Sequence, residues 1–332
     1  LSGQRLRLRV PGLLGPLPGP LPPGVLARLP SLETWLARGR RGAIQPVPAP
    51  AAAGPLGWLA EGGDLGTGYW SRALPLHLRA ESSGVRLVTL SLDEAEAARL
   101  EADLAALLAD RGLRLHRSSA GRWYLESDAP LPERPAPEQV DGRFIGGHMP
   151  RGREALAWAS VFNEVEMALC SHPVNQAREE RGEPPVNALW AWGCGQRPQP
   201  PADFPWRRVL SDDPSWRGLG ILAGAEVADP AGVPAIAPGP SALVAVSWAA
   251  DALAAADGNA WVDAVTAVER TFAAPALGAL THGGPDGGRW DALELCPAGD
   301  RAGVVLTRSV ARRFWRRRRP LQAWLVEDGA DA

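Results

Sequence analysis

The chain has 332 residues, 45% hydrophobic and 22% charged, enough for two domains of the usual ~150 residues and too apolar for a disordered segment. Thirty-five basic residues against 37 acidic ones leave a net charge of −2, so no whole-molecule field favours nucleic acid or an anionic membrane. Every basic residue is arginine, which excludes a Schiff-base lysine, pyridoxal-phosphate chemistry and a Walker-A phosphate loop.

The excess of Ala, Arg, Gly and Pro over only four isoleucines is what GC-rich codon usage produces. Cys170, Cys194 and Cys296 show no CxxC spacing, predicting a reducing, cytoplasmic compartment, no disulfide framework and no zinc site. Arg5, Arg7 and Arg9 interrupt the first apolar stretch, so no secretory signal is expected. The longest apolar stretch, Leu243 to Ala256, is broken by Asp251, so no membrane span is expected either.

Residues 5–10 (RLRLRV) alternate charge and bulk, predicting a strand with one wet face that stops at Pro11-Gly12. A proline-rich stretch follows. Residues 31–38 predict a short helix with Ser31 as N-cap and Gly39 as its stop. Residues 42–57 read as another Pro/Ala/Gly loop. Strands are predicted at 74–79 and 85–90, a helix from Leu92 to Gly112, and strands at 113–117 and 122–126. A proline-rich acidic linker covers 128–139. A helix over 154–170 ends at Pro173, a short helix carries Ala177 to Arg181, and a strand over 187–192 runs into a glycine turn. Beyond a second proline-rich linker, strands are predicted at 219–223, 242–247, 277–281, 303–307 and 321–326, with helices between them. That alternation predicts an α/β sheet, partly parallel.

The densest chemistry lies in SHPVNQAREERGEPPVN, residues 171–187. An imidazole, three carboxamides and two guanidiniums sit there around a helix stop and a double proline. Such a set can clamp a carboxylate or phosphate, because Arg offers bidentate donors and Asn an orientable amide. The plainer reading is that His172-Pro173 and Asn175 cap helix ends while Pro184-Pro185 fixes entry to a strand.

This block, with FNEVEMAL before it, resembles the RpfE-type regulatory proteins of bacteria and, more distantly, the archaeal-type cofactor-independent phosphoglycerate mutases of the alkaline-phosphatase superfamily. The shared pattern falls on His172, Pro173, Asn175, Arg178, Gly182, Pro185, Asn187, Gly193 and Gly195. LPSLETWLARG at 29–39, LAEGGDLGTGYWSRA, LSLDEAEAARLEADLAALL and GRWYLES are similar to flanking parts of the same family. The resemblance implies a trimmed alkaline-phosphatase-like α/β core sheet flanked by helices, built from 1–60 and 205–332, with an inserted α+β domain over 66–200.

The departures shape the functional expectation. The resemblance implies a two-cation phosphotransferase with an Asp after the first strand, a Ser nucleophile, and Asp-x-x-x-His and Asp-His ligands. Here the first strand ends Val10-Pro11-Gly12, and residues 48–54 read PAPAAAG. No Asp-His or Asp-x-x-x-His occurs. His282 ahead of Gly283-Gly284-Pro285-Asp286 reads as a turn. Trp192 stands before Gly193 where the family leads one to expect arginine. No G-x-S-x-G elbow supports a hydrolase triad. Cys170 and His172, two apart, could suggest a thiolate pair, but their place at a helix C-terminus argues against it.

The expectation is therefore a catalytically degenerate, mutase-like protein with a regulatory or small-anion role, without catalytic residues, metal or cofactor. Its anion cleft would be lined by His172, Asn175, Arg178 and Asn187, and its partners would be a small phosphate or carboxylate and a protein. The alternative is an active mutase or phosphotransferase with a different centre. A third reading takes RRFWRRRR at 312–319 as a nucleic-acid contact. Its plainer form is a helix end whose arginines stack on Trp315 and pair with carboxylates, and nucleic acid is not expected as a partner.

Overall fold

The computed structural model describes residues 3–17, 19–22, 24–44, 50, 52–149, 153–233, 236–284, 287–297 and 302–325, giving backbone only for 153–157 and 302. In chain order the strands are β1 (Arg5–Arg9), β2 (Arg40–Ala43), β3 (Tyr69–Glu81), β4 (Gly84–Thr89), β5 (Leu113–Arg117), β6 (Trp123–Ser127), β7 (Ala188–Gly195), β8 (Arg208–Ser211), β9 (Glu226–Ala228), β10 (Ala242–Ala245), β11 (Ala292–Cys296) and β12 (Ala302–Thr307). The helices are α1 (Pro30–Arg38), α2 (Ala53–Ala60), α3 (Glu94–Ala109), α4 (Pro137–Val140), α5 (Arg153–Cys170), α6 (Pro173–Glu180), α7 (Pro214–Leu222), α8 (Trp248–Ala254), α9 (Gly258–Val268), α10 (Ala274–Thr281) and α11 (Arg308–Ala311). The chain forms two compact units, Leu1–Ala49 with Pro200–Ala332, and Pro50–Gln199.

The first unit carries a seven-stranded mixed sheet in the order β2-β12-β11-β1-β10-β8-β9. Strands β11, β1, β10, β8 and β9 run parallel, while β12 and β2 pair antiparallel at one edge. A central parallel strand is covered on both faces, which corrects the wet face expected for β1. Arg7 is buried, its Nε donating to Glu294 Oε2 at 2.7 Å on neighbouring β11, and its guanidinium lies 5.0 Å from the Trp206 ring centre. The hydrophobic core of this unit gathers Leu6, Leu8, Trp35, Val244, Trp261 and Phe272.

Helix α1 starts at Pro30 after Leu29, which supplies no side-chain cap. Ser31 is not the cap. Instead Glu269, from a π-helical turn (Glu269–Ala273) between α9 and α10, accepts the Ser31 and Leu32 N–H groups at 2.8 and 2.9 Å. A carboxylate placed there satisfies two orphan donors and meets the positive end of the helix dipole.

The second unit holds a five-stranded antiparallel sheet. Strand β3 pairs with β6 over its first half and β4 over its second, and with β7 along its other edge. Helix α3 opens on a capping box, Asp93 accepting from Glu96 N while Glu96 accepts from Asp93 N. It packs Leu100, Leu104 and Leu108 with Val165 and Leu169 of α5 onto Leu125 and Leu189.

Part of the expected loop at 42–57 is the start of α2. Gly54 lies so close to β3 that a Cβ would sit 2.2 Å from the Trp70 carbonyl oxygen. Small residues let the α2 backbone rest directly on the sheet. Residues 219–223 and 277–281 are helical, and Leu321–Trp324 is a 3-10 turn, not a strand. Short apolar runs fit both periods, and here Asp213 caps α7 while Pro214 and Pro275 open the two helices. Strands β2, β8, β9 and β11 lie outside the expected set.

Candidate functional site

The block at 171–187 folds as a helix-capping and strand-entry device. His172 caps α6, its Nδ1 accepting the Val174 N–H at 3.2 Å, and its Nε2 lies 2.9 Å from Asp103 Oδ2. That hydrogen bond, aided by Arg99, holds the Asp103 carboxyl below its ordinary range. Asn175 donates to the Leu169 and Val186 carbonyls at 2.7 and 2.6 Å and accepts the Val186 N–H at 2.8 Å. Asn187 accepts from Leu78 N and donates to Leu78 O, at 2.7 and 2.9 Å, so its amide imitates a strand neighbour of β3.

Arg178 is buried, 3% exposed. Its Nε donates to Pro184 O at 2.8 Å, and its Nη1 donates to Glu96 Oε2 at 2.9 Å and Ser91 O at 3.2 Å. Glu96 also receives Arg181. Glu164, a carboxylate from α5, pairs with Arg111. The residues expected to line an anion cleft, His172, Asn175, Arg178 and Asn187, do come together, and the bonds they make run to local backbone and to Asp103 and Glu96. Trp192, where the family leads one to expect arginine, is buried with the Arg72 guanidinium 5.0 Å from its ring centre.

The carboxyl edge of the seven-stranded sheet is where open α/β folds place ligands. After β1, Val10 is buried and donates to Cys296 O at 3.0 Å, and Gly12 O accepts the Trp261 indole at 2.9 Å. After β8 and β10 the polar groups Asp212 and Ser247 meet. Asp212 accepts the Ser247 N–H on Oδ2 at 2.9 Å, the Asp213 N–H on Oδ1 at 3.0 Å, and approaches Ser247 Oγ at 2.8 Å. Ser247 Oγ also lies 2.5 Å from Asp251 Oδ2.

One hydroxyl has one proton, so two carboxylates cannot both receive it. Burial pushes the Asp212 carboxyl above its ordinary range. Sequence reading missed this pair because β8, the strand that positions Asp212, is a four-residue segment (RVLS).

These residues do not fit the two cations that the resemblance implies. Asp212 has both oxygens engaged, Asp213 accepts the Ser215 N–H to cap α7, and no group of three or more His, Cys, Asp or Glu side chains among the described residues is arranged to hold a metal. In the His282 loop, Pro285 and Asp286 lie outside the described residues. None of Cys170, Cys194 and Cys296 is in a disulfide, and no helix among the described residues is long and apolar enough to cross a membrane. In the basic run, Phe314 and Trp315 are 78% and 66% exposed and contact each other edge to face. Within the run, Arg318 lies near enough to the Glu33 carboxylate to favour its charged form.

No protein-family profile matches the chain. Over 232 residues it is 27% identical to the 2,3-bisphosphoglycerate-independent phosphoglycerate mutase of Methanosarcina mazei, covering 60% of this chain and 58% of that enzyme. The chain is a distant relative of these mutases. Over 133 residues it is 30% identical to the enzyme of the same name from Methanothrix thermoacetophila, covering 39% of this chain and 32% of that one. The mutase-like chain therefore aligns with little more than half of the longest-matching of these relatives. Among solved structures, the cofactor-independent phosphoglycerate mutase from Thermoplasma acidophilum aligns over 92% of this chain and 90% of its own, with a TM-score of 0.40 and 17% identity. The PH0037 protein from Pyrococcus horikoshii aligns over 92% and 87%, with a TM-score of 0.44 and 15% identity.

Proposed function

We propose that this phosphoglycerate-mutase-like chain does not carry out the mutase reaction and instead has a regulatory, small-anion-binding role, in the manner of the RpfE-type proteins its sequence resembles. The observation that carries the reading is the engagement of Asp212. A carboxylate that serves a divalent cation must be ionised, and no group of three or more His, Cys, Asp or Glu side chains among the described residues is arranged to hold one. Asp212 gives its oxygens to Ser247 and the Asp213 backbone and is pushed toward its neutral form. The apolar end of β1 supports the same reading, since Val10 and Gly12 offer the edge only backbone groups that are already bonded.

The test is an assay of 3-phosphoglycerate and 2-phosphoglycerate interconversion with manganese supplied. No turnover above a no-protein control is expected. Turnover that survives purification and disappears in Asp212→Asn would overturn the reading and make the carboxyl edge an active centre.

A further inference from the structure

We propose that the basic run of the first unit is a docking surface for single-stranded nucleic acid, with Phe314 and Trp315 as its base-stacking platform. The proposal stands apart from the mutase and small-anion readings above and does not depend on either.

Residues 308–319 carry seven arginines, and no Asp or Glu occurs between Ala302 and Leu325. In a chain of net charge −2 this is a local focus of positive potential. The run is held at both ends. Val310 and Ala311 are buried before it and Leu321 after it, and Arg38 Nη1 donates to Ala311 O at 2.6 Å. Further cations come from elsewhere in the same unit. Arg40 and Arg41 are exposed on β2, and the Arg41 guanidinium lies 4.9 Å from the Trp324 ring centre, just beyond the run. Arg318 lies near the Glu33 carboxylate, but Arg28 Nε already donates to both Glu33 oxygens, at 2.8 and 2.9 Å. That trio keeps one positive charge in excess.

In the middle of the run the chain turns. The Arg316 N–H donates to Arg313 O at 3.0 Å, which puts Phe314 and Trp315 at the two central positions of a tight turn. Turn tips ordinarily carry Gly, Pro, Asn, Asp or Ser. Here the tip carries two large rings, 78% and 66% exposed, their centres 5.4 Å apart and their planes at 80°. Exposed rings flanked by guanidiniums match an unpaired strand, whose bases stack on ring faces while its phosphates accept from arginine. Duplex readers lay a helix or a β-ribbon into the major groove, whereas α11, which leads into the run, has four residues. Residues 312–320 are not helical either, so they lack the continuous apolar face that settles into a bilayer surface.

The probes are fluorescein-labelled oligothymidylate and oligouridylate of about twelve nucleotides, titrated into the full chain and followed by anisotropy. Saturable binding is expected at low salt, with a log–log salt slope of about −0.7 for each phosphate contact. The tighter of the two strands tells whether DNA or RNA is the better source. Trp315→Ala and Phe314→Ala should each weaken binding by about tenfold at an unchanged salt slope. Replacing Arg316, Arg317, Arg318 and Arg319 by Gln should weaken it further and flatten the slope. These side chains are exposed, so the Tm should hold. If Trp315→Ala lowers the Tm, Trp315→Leu keeps an apolar side chain without a stacking face and should weaken binding by a similar factor.

The proposal is overturned if neither oligonucleotide binds at low salt, or if a duplex of the same length binds as tightly as the single strand. It is equally overturned if phosphatidylserine vesicles are bound and the oligonucleotides are not. Loss of binding in the arginine variant with no effect of either ring would also sink it, because the run would then attract any polyanion.

Discussion

At the scale of single residues, the Ser247 hydroxyl between two carboxylates makes a pH prediction. The unfolded Asp212 carboxyl titrates near the ordinary ~3.9, and burial raises the folded value above it. Between the two values the folded chain holds more protons than the unfolded one, so stability falls as pH rises. The contribution of Asp212 is complete below the unfolded value and is lost as pH climbs through the folded one. Asp212→Asn removes the titration, and an amide nitrogen in place of Oδ2 leaves the Ser247 N–H only the longer contact to Oδ1 at 3.2 Å. The variant should be less stable than the natural chain in acid, with the gap narrowing toward neutral pH, read as the difference in Tm across that window. A constant difference at all pH values would show that Asp212 does not titrate there.

Arg178 makes the contrasting case. Its removal leaves Glu96 buried with only exposed Arg181 as a cation, and breaking a buried pair from one side costs about 3–5 kcal/mol. Arg178→Ala should therefore unfold at much lower denaturant, measured by denaturant titration. A stable Arg178→Ala chain that loses anion binding would restore the cleft expected from its sequence.

At the scale of elements, legibility follows how locally each structure is determined. Helix α3 declares itself through Leu100, Leu104, Leu107 and Leu108 at helical spacing, and the structure adds the Asp93–Glu96 capping box at its start. Helix α1 is legible as a helix, but its cap is not. Glu269, the residue that closes its N-terminus, lies more than two hundred positions away and reaches it only through the tertiary fold. Likewise Arg7 reads as a wet-face residue until β11 brings Glu294 beside it. The candidate cluster was visible as a concentration of polar types. Whether its donors faced a ligand or the backbone depended on Glu96 and Leu78, which no local spacing reveals.

Two substitutions test this reading. Glu269→Ala leaves the Ser31 and Leu32 N–H groups buried without an acceptor and should cost about 1–3 kcal/mol of stability, measured by denaturant titration. Gly54→Ala pushes a methyl group into the Trp70 backbone and should also destabilise, although alanine is the better helix former. A neutral Gly54→Ala variant would mean that α2 does not lie so tightly on β3.

At the scale of the whole molecule, each unit carries its own apolar core. The cluster around Trp35, Trp261 and Leu293 draws its residues from 1–49 and 200–332, and those around Leu104, Trp190 and Trp70 draw theirs from 50–199. The inserted unit is continuous in sequence, so residues 50–199 have every strand of their sheet within reach. The first unit differs, because β1 must find β10 and β11 across the whole insertion. Loop closure grows slowly with length, by about 0.6 kcal/mol per doubling, so the insertion taxes that pairing only modestly even when unfolded.

Leu104→Ala, which opens a cavity in the inserted core at a cost of about 2–5 kcal/mol, should therefore lower the unfolding transition of residues 50–199 and leave that of the first unit nearly in place. A fragment spanning 50–199 should unfold cooperatively at the midpoint of the inserted unit in the full chain. Hydrogen exchange resolves the two units separately. If Leu104→Ala shifts protection in β1, β10 and β11 as far as in β3 and β6, the two cores unfold as one, and the insertion is part of what holds the first sheet together.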